Sequence, residues 1–202
     1  YHIKKDEKIG KEGIMSGMIM YPQSMRKKAS EMLEELSNMD VKIEIFFKRY
    51  EDAQNPIEFS GRAWLSVKNY IEDVQKPYLT AYKAWRVEQG DALQIYNNAA
   101  GDLPDVHKLN KEQMKNSIRR FQRRIDIQRN SKKPNEATIR YYETLIADFE
   151  EKIEKMDNFV AITAGIFAEA NAMQKAIRGA TKELSRVEIS RTGITIDYTR
   201  LS

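Results

Sequence analysis

Apolar residues recur near the start of the chain at alternating steps of four and three positions. This spacing is typical of the heptad seam of a helix that packs against other helices. It predicts a first helix from Pro22 to about Ala53, roughly 45 Å long at about 1.5 Å per residue. Pro22 suits a first helical turn, and Pro56 follows the predicted end. The members of the seam are Met25, Ala29, Met32, Leu36, Met39, Ile43, Phe46 and Tyr50.

A second seam opens after Ser60, a residue type suited to capping a helix N-terminus. It keeps its spacing through Pro77 and fades near Asn97 to Ala100. Because the register continues beyond Pro77, we expect that proline to kink the helix rather than to end it. The members of this seam are Trp64, Val67, Ile71, Val74, Tyr78, Ala81 and Trp85.

The second half of the chain contains two further helical patterns, separated by the polar break at residues 131–135. The third predicted helix runs from Lys111 to Asn130. The fourth follows the break and, if continuous to about Val187, would be on the order of 75–80 Å long. Across this pair we expect basic side chains to face acidic ones. The basic residues are Arg119, Arg120, Arg123 and Arg124, and the acidic ones are Glu143, Glu150, Glu151 and Glu154.

These patterns predict an all-α fold, an elongated antiparallel helical bundle or helical hairpin rod of about four long helices. We expect residues 1–17 to be a charged linker, residues 18–187 the helical domain, and residues 188–202 an extended tail. The alternation of Ile194 and Ile196 around Thr195 fits either a short strand or an extended arm. The start without methionine suggests a piece of a longer protein. Only nine glycines and five prolines are present, fewer turn residues than a β-sandwich or barrel needs.

Charge and composition narrow the function classes. The 34 basic and 30 acidic residues nearly cancel, to a net charge of +4, so we expect no nucleic-acid partner. The absence of cysteine excludes disulfides and thiolate zinc sites. No apolar run approaches the roughly 20 residues of a membrane span, so we expect no stable membrane insertion. The most apolar helical stretch, Val160 to Met173, is expected to be contacted on two sides.

Candidate chemistry is sparse. The two histidines, His2 and His107, are far apart in the sequence, and no nucleophile elbow or glycine-rich phosphate loop is present. We therefore predict no catalytic, cofactor-binding or metal-binding residues and no enzymatic activity in this chain. The basic run from Arg119 to Arg124 could track nucleic-acid phosphates. A structural role is favoured because Phe121 belongs to the apolar face and acidic residues of the next helix can balance the arginines.

The segment from Pro56 to Leu79 contains a recognisable motif. Phe59, Ser60 and Gly61 form an apolar-X-Gly turn. This turn is followed by a small residue and by a Ser-Val-Lys-Asn-Tyr run that ends at Tyr70. A Val-X-X-Pro step ends at Pro77. This motif resembles the signature of LXG domains, with Phe59 in place of the leucine. The wider layout is also similar: a long first helix, a charged middle hairpin and a long last helix.

The resemblance implies a function. LXG domains are the targeting modules of secreted effectors or toxins of Gram-positive bacteria, cytoplasmic before their export by the type VIIb secretion machinery. They bind small helical partners similar to Trp-X-Gly proteins, and the toxic activity resides in another domain. The charged residues before the first helix lead us to expect a reversed order, with a catalytic domain such as a hydrolase upstream.

The apolar seams supply candidate contact residues for such partners. The predicted contact seam consists of Met25, Met32, Leu36, Phe46, Phe167 and Met173. Several of these residues are equally candidates for the chain's own core. A different class of function also fits the heptads, namely a structural coiled-coil protein that self-associates through the same seam.

Overall fold

The computed structural model describes residues 17–54, 61–184, 188–190 and 193–195. Apart from two small two-stranded sheets, this part of the chain is helical, which confirms the all-α prediction. The helices are α1 (Pro22–Gln54), α2 (Arg62–Tyr70), a π-helical turn (Ile71–Gln75), α3 (Lys76–Gly101), α4 (Lys111–Arg129), α5 (Glu136–Thr163) and α6 (Ala168–Leu184). The strands are β1 (Ile19–Met20), β2 (Leu109–Asn110), β3 (Glu188–Ser190) and β4 (Gly193–Thr195).

The ends of α1, α4 and α5 follow from local signals. α1 begins at Pro22 and ends within a residue of the prediction. Asparagine side chains cap the other two helices: Asn110 accepts a hydrogen bond from the Gln113 N–H at 3.0 Å, and Asn135 accepts one from the Thr138 N–H at 3.1 Å. Each satisfies an N–H group that has no partner within its own helix.

The second predicted helix passes Pro77 without ending, as expected, but it does so through the π-helical turn. The Lys76 N–H donates to the Ile71 carbonyl five residues earlier. Proline has no N–H to donate and its ring clashes with the carbonyl four residues back, so a wider turn just before it accommodates both defects. Beyond the turn, Ala81 is exposed and Tyr82 packs against the core, so the predicted place of Ala81 in the seam was wrong.

The fourth predicted helix is not continuous to Val187, and the detail of four long helices is not confirmed. α5 ends at Thr163 and α6 begins at Ala168. Between them Gly165 has a φ of 76°, the left-handed conformation that commonly follows a helix C-terminus. A glycine next to β-branched residues was the available sequence signal for this break.

The chain divides into two compact units, with boundaries after Lys28, Tyr96 and Ala164. Unit 1 contains β1, the first turns of α1, the end of α3, β2, α4 and α5. Unit 2 contains the rest of α1, α2, most of α3, α6, β3 and β4.

In unit 1, β1 and the first turns of α1 contact β2 and the end of α3. β1 pairs antiparallel with β2, with Met20 opposite Leu109, and both side chains are buried. Arg26 binds the end of α3: its Nε donates to the Ala100 carbonyl at 2.9 Å, and it also donates to the Leu103 carbonyl. A guanidinium here satisfies carbonyls that lack partners within the helix and complements the negative end of the helix dipole.

α4 and α5 form an antiparallel hairpin in unit 1. Phe121 stacks on Tyr142 and Phe149, with ring centroids 5.4 and 6.1 Å apart, which confirms its predicted place on the apolar face. At the other end of the hairpin, Lys111 is 5% exposed and its Nζ lies 2.5 Å from the Asp157 carboxylate. The ion pair makes burial of the lysine possible, because an unpaired buried charge is costly.

Removal of the Asp157 carboxylate should therefore destabilise unit 1. We expect Asp157→Ala to lower the free energy of unfolding by about 1–3 kcal/mol, since it leaves the Lys111 ammonium without its acceptor. Asp148→Ala is the control: the two carboxylates are similarly exposed, but Asp148 pairs with Lys152 of its own helix, which is less buried than Lys111. Such a pair is worth about 0.3–0.5 kcal/mol. Urea unfolding followed by circular dichroism measures both; equal losses would contradict the prediction.

Unit 2 is built around a three-helix core of α1, α3 and α6. Tyr78 and Thr181 hydroxyls are 2.8 Å apart, and the Tyr96 and Phe167 rings are 6.2 Å apart, so α3 and α6 run antiparallel. Arg86 of α3 donates to the Leu36 carbonyl at 3.1 Å and forms an ion pair with Asp40, which fixes α1 against α3. The buried core cluster consists of Leu36, Trp85, Leu93, Ala170 and Ile177.

Leu93 should contribute more to stability than its neighbours on α3. It is 1% exposed, so we expect Leu93→Ala to lower the free energy of unfolding by about 2–5 kcal/mol through lost burial and the cavity left behind. The matched control is Ile95→Ala, at 45% exposure on the same helix, which should cost under about 1 kcal/mol. Thermal and urea unfolding of both variants check the difference.

The tail contains more β-structure than predicted. β3 and β4 form a hairpin in which Ile189 is opposite Ile194, and α2 lies next to β4. Of the two alternatives for the residues around Ile194, a short strand and an extended arm, the structure has the strand, with a partner strand beside it. Ile196 and the rest of the tail lie outside the described residues. The predicted linker, residues 1–17, lies outside them except for Gly17.

Candidate functional site

The structure distributes the six predicted contact residues between core and surface. Leu36 is 7% exposed in the core of unit 2. Met32, Phe167 and Met173 are half-buried and pack against that core. Met25 is half-buried in unit 1. Phe46 is exposed at 43%, so it remains the clearest candidate for contact with another molecule.

The heptad seam of α1 separates into two lines with different burial. Ala29, Leu36 and Ile43, seven residues apart, are 2%, 7% and 9% exposed. The other line runs through Met32, which is half-buried, to Met39 and Phe46, which are 39% and 43% exposed. A helix that packs through heptads covers both lines. In α1 the chain itself covers one line along its length and leaves the other increasingly open.

We name Met39 and Phe46 the open line. Charged residues flank it: Glu35, Lys42 and Arg49 recur every seven residues beside it, and all three are exposed. At 3.6 residues per turn, this row lies about 60° from the open line, on the side away from the buried line. Val41 is also exposed, at 57%, but it projects from the opposite side of α1.

Sequence reasoning included Met39 in the seam but not among the contact residues. Met39 differs from the buried seam residues in its exposure, which depends on the packing of neighbouring helices and not on periodicity. On its covered side, the Met39 sulfur accepts a hydrogen bond from the Tyr82 hydroxyl at 3.6 Å.

The motif residues are described in part. Phe59 and Ser60 lie outside the described residues, and Tyr70 is half-buried at the last position of α2. Gly61, not Ser60, is the residue before the first turn of α2, with φ 111° and ψ 172°. This conformation is accessible almost solely to glycine. The backbone conformation at Gly61 therefore explains why the apolar-X-Gly turn needs a glycine there.

A methyl group at Gly61 should strain the backbone. We expect Gly61→Ala to lower the free energy of unfolding by about 1–3 kcal/mol. The added Cβ has no atom within 4 Å, so the cost comes from φ alone. Gly90→Ala is the matched control: it lies inside α3 with equal space and should stabilise by about 0.5–1 kcal/mol. Denaturant unfolding measures both, and effects of the same sign would contradict the prediction.

The arginines of α4 do not make the predicted contacts with the acids of α5. Arg119 pairs with Glu112 of its own helix at 3.3 Å, and Arg124 donates to the Tyr142 hydroxyl at 2.9 Å. The ion pairs between the two helices are instead Lys111 with Asp157 and Arg129 with Glu143, the latter at 2.8 Å. The prediction failed because Arg119, Arg120 and Arg123 lie on the flanks and outer side of α4. Arg124 does reach α5, but it contacts Tyr142 rather than an acid.

The described residues contain little that could carry chemistry. No group of three or more His, Asp or Glu side chains among them could hold a metal ion. His107 is exposed and its ring lies edge-on to Tyr21. Glu151 raises the pKa of Lys155 through a hydrogen bond on the exposed side of α5. The Trp85 indole N–H is buried without a partner among these residues, inside the core of unit 2.

None of the helices in the described ranges combines the length and apolarity needed to cross a bilayer.

Comparison with known proteins identifies no family for the chain. The chain matches no protein-family model, no curated protein and no solved structure.

Proposed function

We propose that this chain is a non-catalytic targeting domain that binds small helical proteins and serves the export of an attached effector. The proposal joins the LXG-like motif with one observation, the open line on α1 at Met39 and Phe46. The all-α fold and the glycine-dependent turn at Gly61 are consistent with the motif. Secretion by a type VIIb system and a toxin domain elsewhere in the protein belong to the same proposal.

The open line is the part of α1 that offers binding energy. Among its described side chains after Leu36, α1 buries just Ile43, although the helix continues to Gln54. α2 and the π-helical turn add no buried residue among their described side chains. Helices gain most of their stability in water by burying an apolar stripe. A partner that covers Met39 and Phe46 would complete the packing that the chain leaves unfinished.

The geometry favours a particular partner chemistry. A second heptad line next to a buried one is the surface onto which another helix packs. Lys42 and Arg49 flank it, so the matching helix should carry apolar residues at heptad spacing with acidic residues beside them. Small helical proteins similar to Trp-X-Gly proteins are the partners that the resemblance implies, and a helix of this kind on one of them would match the open line.

Phe46→Glu tests the proposal at its most exposed point. We expect the purified chain to form a complex with the small helical proteins encoded beside it, and Phe46→Glu to weaken that complex tenfold or more, as loss of an aromatic anchor does. Because Phe46 is already exposed, the variant should remain folded. Calorimetric titration of the chain with each partner measures the dissociation constant.

Val41→Glu is the matched control, since it makes the same kind of change on the opposite side of the same helix. It should leave the dissociation constant unchanged. Absence of any complex, or equal weakening by the two variants, would refute the proposal. Self-association of the chain alone that Phe46→Glu abolishes would instead support the structural coiled-coil alternative.

A further inference from the structure

The net charge of the chain is concentrated at one end of the α4–α5 hairpin. Of the 34 basic and 30 acidic residues, seven basic and three acidic ones lie in residues 120–143, which contain the turn between the two helices. The rest of the chain is neutral, with 27 residues of each sign. We name residues 120–143 the hairpin tip. Its basic residues are Arg120, Arg123, Arg124, Arg129, Lys132, Lys133 and Arg140.

The hairpin tip also contains the two most exposed large apolar side chains of the described residues. Ile127 of α4 is 68% exposed, and Tyr141 of α5 is 60% exposed. Arg129 and Glu143, each two residues further along its helix, form an ion pair between the helices. Ile127 and Tyr141 therefore lie within about one helical turn, 5–6 Å, of the same height on the hairpin.

Basic and apolar side chains share one face of the hairpin tip. Arg120, Arg124 and Ile127 follow one another on α4 at steps of four and three residues, and all three are exposed. Arg124 and Ile127 lie about 90° and 150° around α4 from the line that faces α5. Tyr141 lies about 100° around α5 from the line that faces α4, in the same sense of rotation. Because the two right-handed helices run in opposite directions, offsets of the same sense fall on one face.

We name Arg120, Arg124, Ile127 and Tyr141 the tip face. Ring contacts support this grouping, because the Arg124 guanidinium lies over the Tyr142 ring at 5.6 Å and the Tyr141 and Tyr142 ring centroids are 5.6 Å apart.

The three acidic side chains of the hairpin tip point away from the tip face. Asp126 lies about 130° around α4 from the line of the two arginines and Ile127. Glu136 and Glu143 lie about 140° and 160° around α5 from Tyr141. The tip face therefore combines positive charge with exposed apolar surface, without a carboxylate from the hairpin tip to neutralise it.

The basic side chains of the hairpin tip are available for binding. Among the described residues, Arg129 is the one member of this set that forms an ion pair. Lys132 and Lys133 are exposed in the turn beyond the ends of both helices. Asp148, the next acid along this side of the hairpin, is bound to Lys152.

We propose that the hairpin tip docks on the surface of a membrane that contains anionic lipids. Lysine and arginine side chains are attracted to the negative potential of such a surface. Tyrosine suits the boundary between headgroups and acyl chains, because its ring is apolar and its hydroxyl is polar. Ile127, which finds little cover in the chain itself, would enter the same boundary. The contact is peripheral, so it requires no helix that crosses the bilayer.

A nucleic acid fits the hairpin tip less well than a membrane does. Phosphates attract the basic side chains in the same way. Ile127 has no part in that attraction, whereas burial of its side chain among lipids stabilises the membrane-bound state. A requirement for Ile127 therefore distinguishes the two partners.

The test is co-sedimentation of the 202-residue chain with lipid vesicles. We expect binding at low salt to vesicles of equal parts phosphatidylglycerol and phosphatidylcholine, and none to phosphatidylcholine alone. The bound chain should be released at about 1 M salt, where the screening length is about 3 Å.

The charge variant is Lys132→Ala/Lys133→Ala. It should lower the partition coefficient tenfold or more, because each basic side chain near an anionic surface contributes a factor of about five. The matched control is Lys27→Ala/Lys28→Ala, which removes the same charge from two adjacent exposed lysines of α1 and should change binding less than about twofold. Circular dichroism checks that the helical content of both variants is unchanged.

The apolar part of the contact is tested at Ile127. We expect Ile127→Ser to weaken vesicle binding about threefold or more, since it removes the side chain that enters the lipid. In Ile127→Trp, the tryptophan emission should shift to shorter wavelength when anionic vesicles are added. Val41→Trp is the matched control, exposed on α1, and its emission should not shift.

Three results would each overturn the proposal: no binding to anionic vesicles, equal losses in the two lysine variants, or an emission of Ile127→Trp that vesicles leave unchanged. Binding to a short RNA duplex that needs Lys132 and Lys133 but not Ile127, together with vesicle binding that does not need Ile127, would identify a general polyanion surface and also overturn it. Phe46→Glu should bind vesicles like the unchanged chain, so this outcome is independent of the partner proposed for the open line.

Discussion

The heptad seam of α1 is the constraint on which the other features of unit 2 depend. A seam has two lines of apolar residues, and burial of either line from water stabilises the fold. Ala29, Leu36 and Ile43 form the buried line, and Leu36 lies in the core that α1 shares with α3 and α6. Arg86 fixes the rotation of α1 by binding the Leu36 carbonyl and Asp40. Once that rotation is fixed, the direction of Met39 and Phe46 is fixed as well. The candidate partner surface is thus a by-product of how the core is built.

Periodicity was a reliable guide where a helix is amphipathic and its ends carry strong local signals. α1 and α4 have nearly the predicted bounds, because Pro22 begins one and a polar segment follows the other. Periodicity failed where a single residue changes the backbone conformation within an apolar stretch. Gly165 interrupts the predicted fourth helix without interrupting its apolar pattern, so a count of apolar residues could not detect the break.

The candidate site was less predictable than the fold, for a reason visible in Leu36 and Phe46. Both belong to one seam and have similar hydrophobicity, yet one lies in the core and the other is exposed. Which of them is covered depends on the extent of neighbouring helices, and periodicity contains no information about that. Charge pairing has the same limitation: arginine and glutamate counts suggested contacts across the hairpin, but the angle of each residue around its helix decides which face it occupies.

The π-helical turn before Pro77 also constrains how the chain can vary. Such a turn holds one residue more than an α-helical turn of the same span. Deletion of one residue between Ile71 and Gln75 would therefore return the backbone to α geometry with little rotation of α2 relative to α3, and α2 would keep the same side next to β4. Deletion of one residue within the α-helical part of α2 or α3 would instead rotate the two sides of the deletion by about 100° relative to each other. The chain should therefore tolerate the loss of a residue better in the π-helical turn than in the helices beside it.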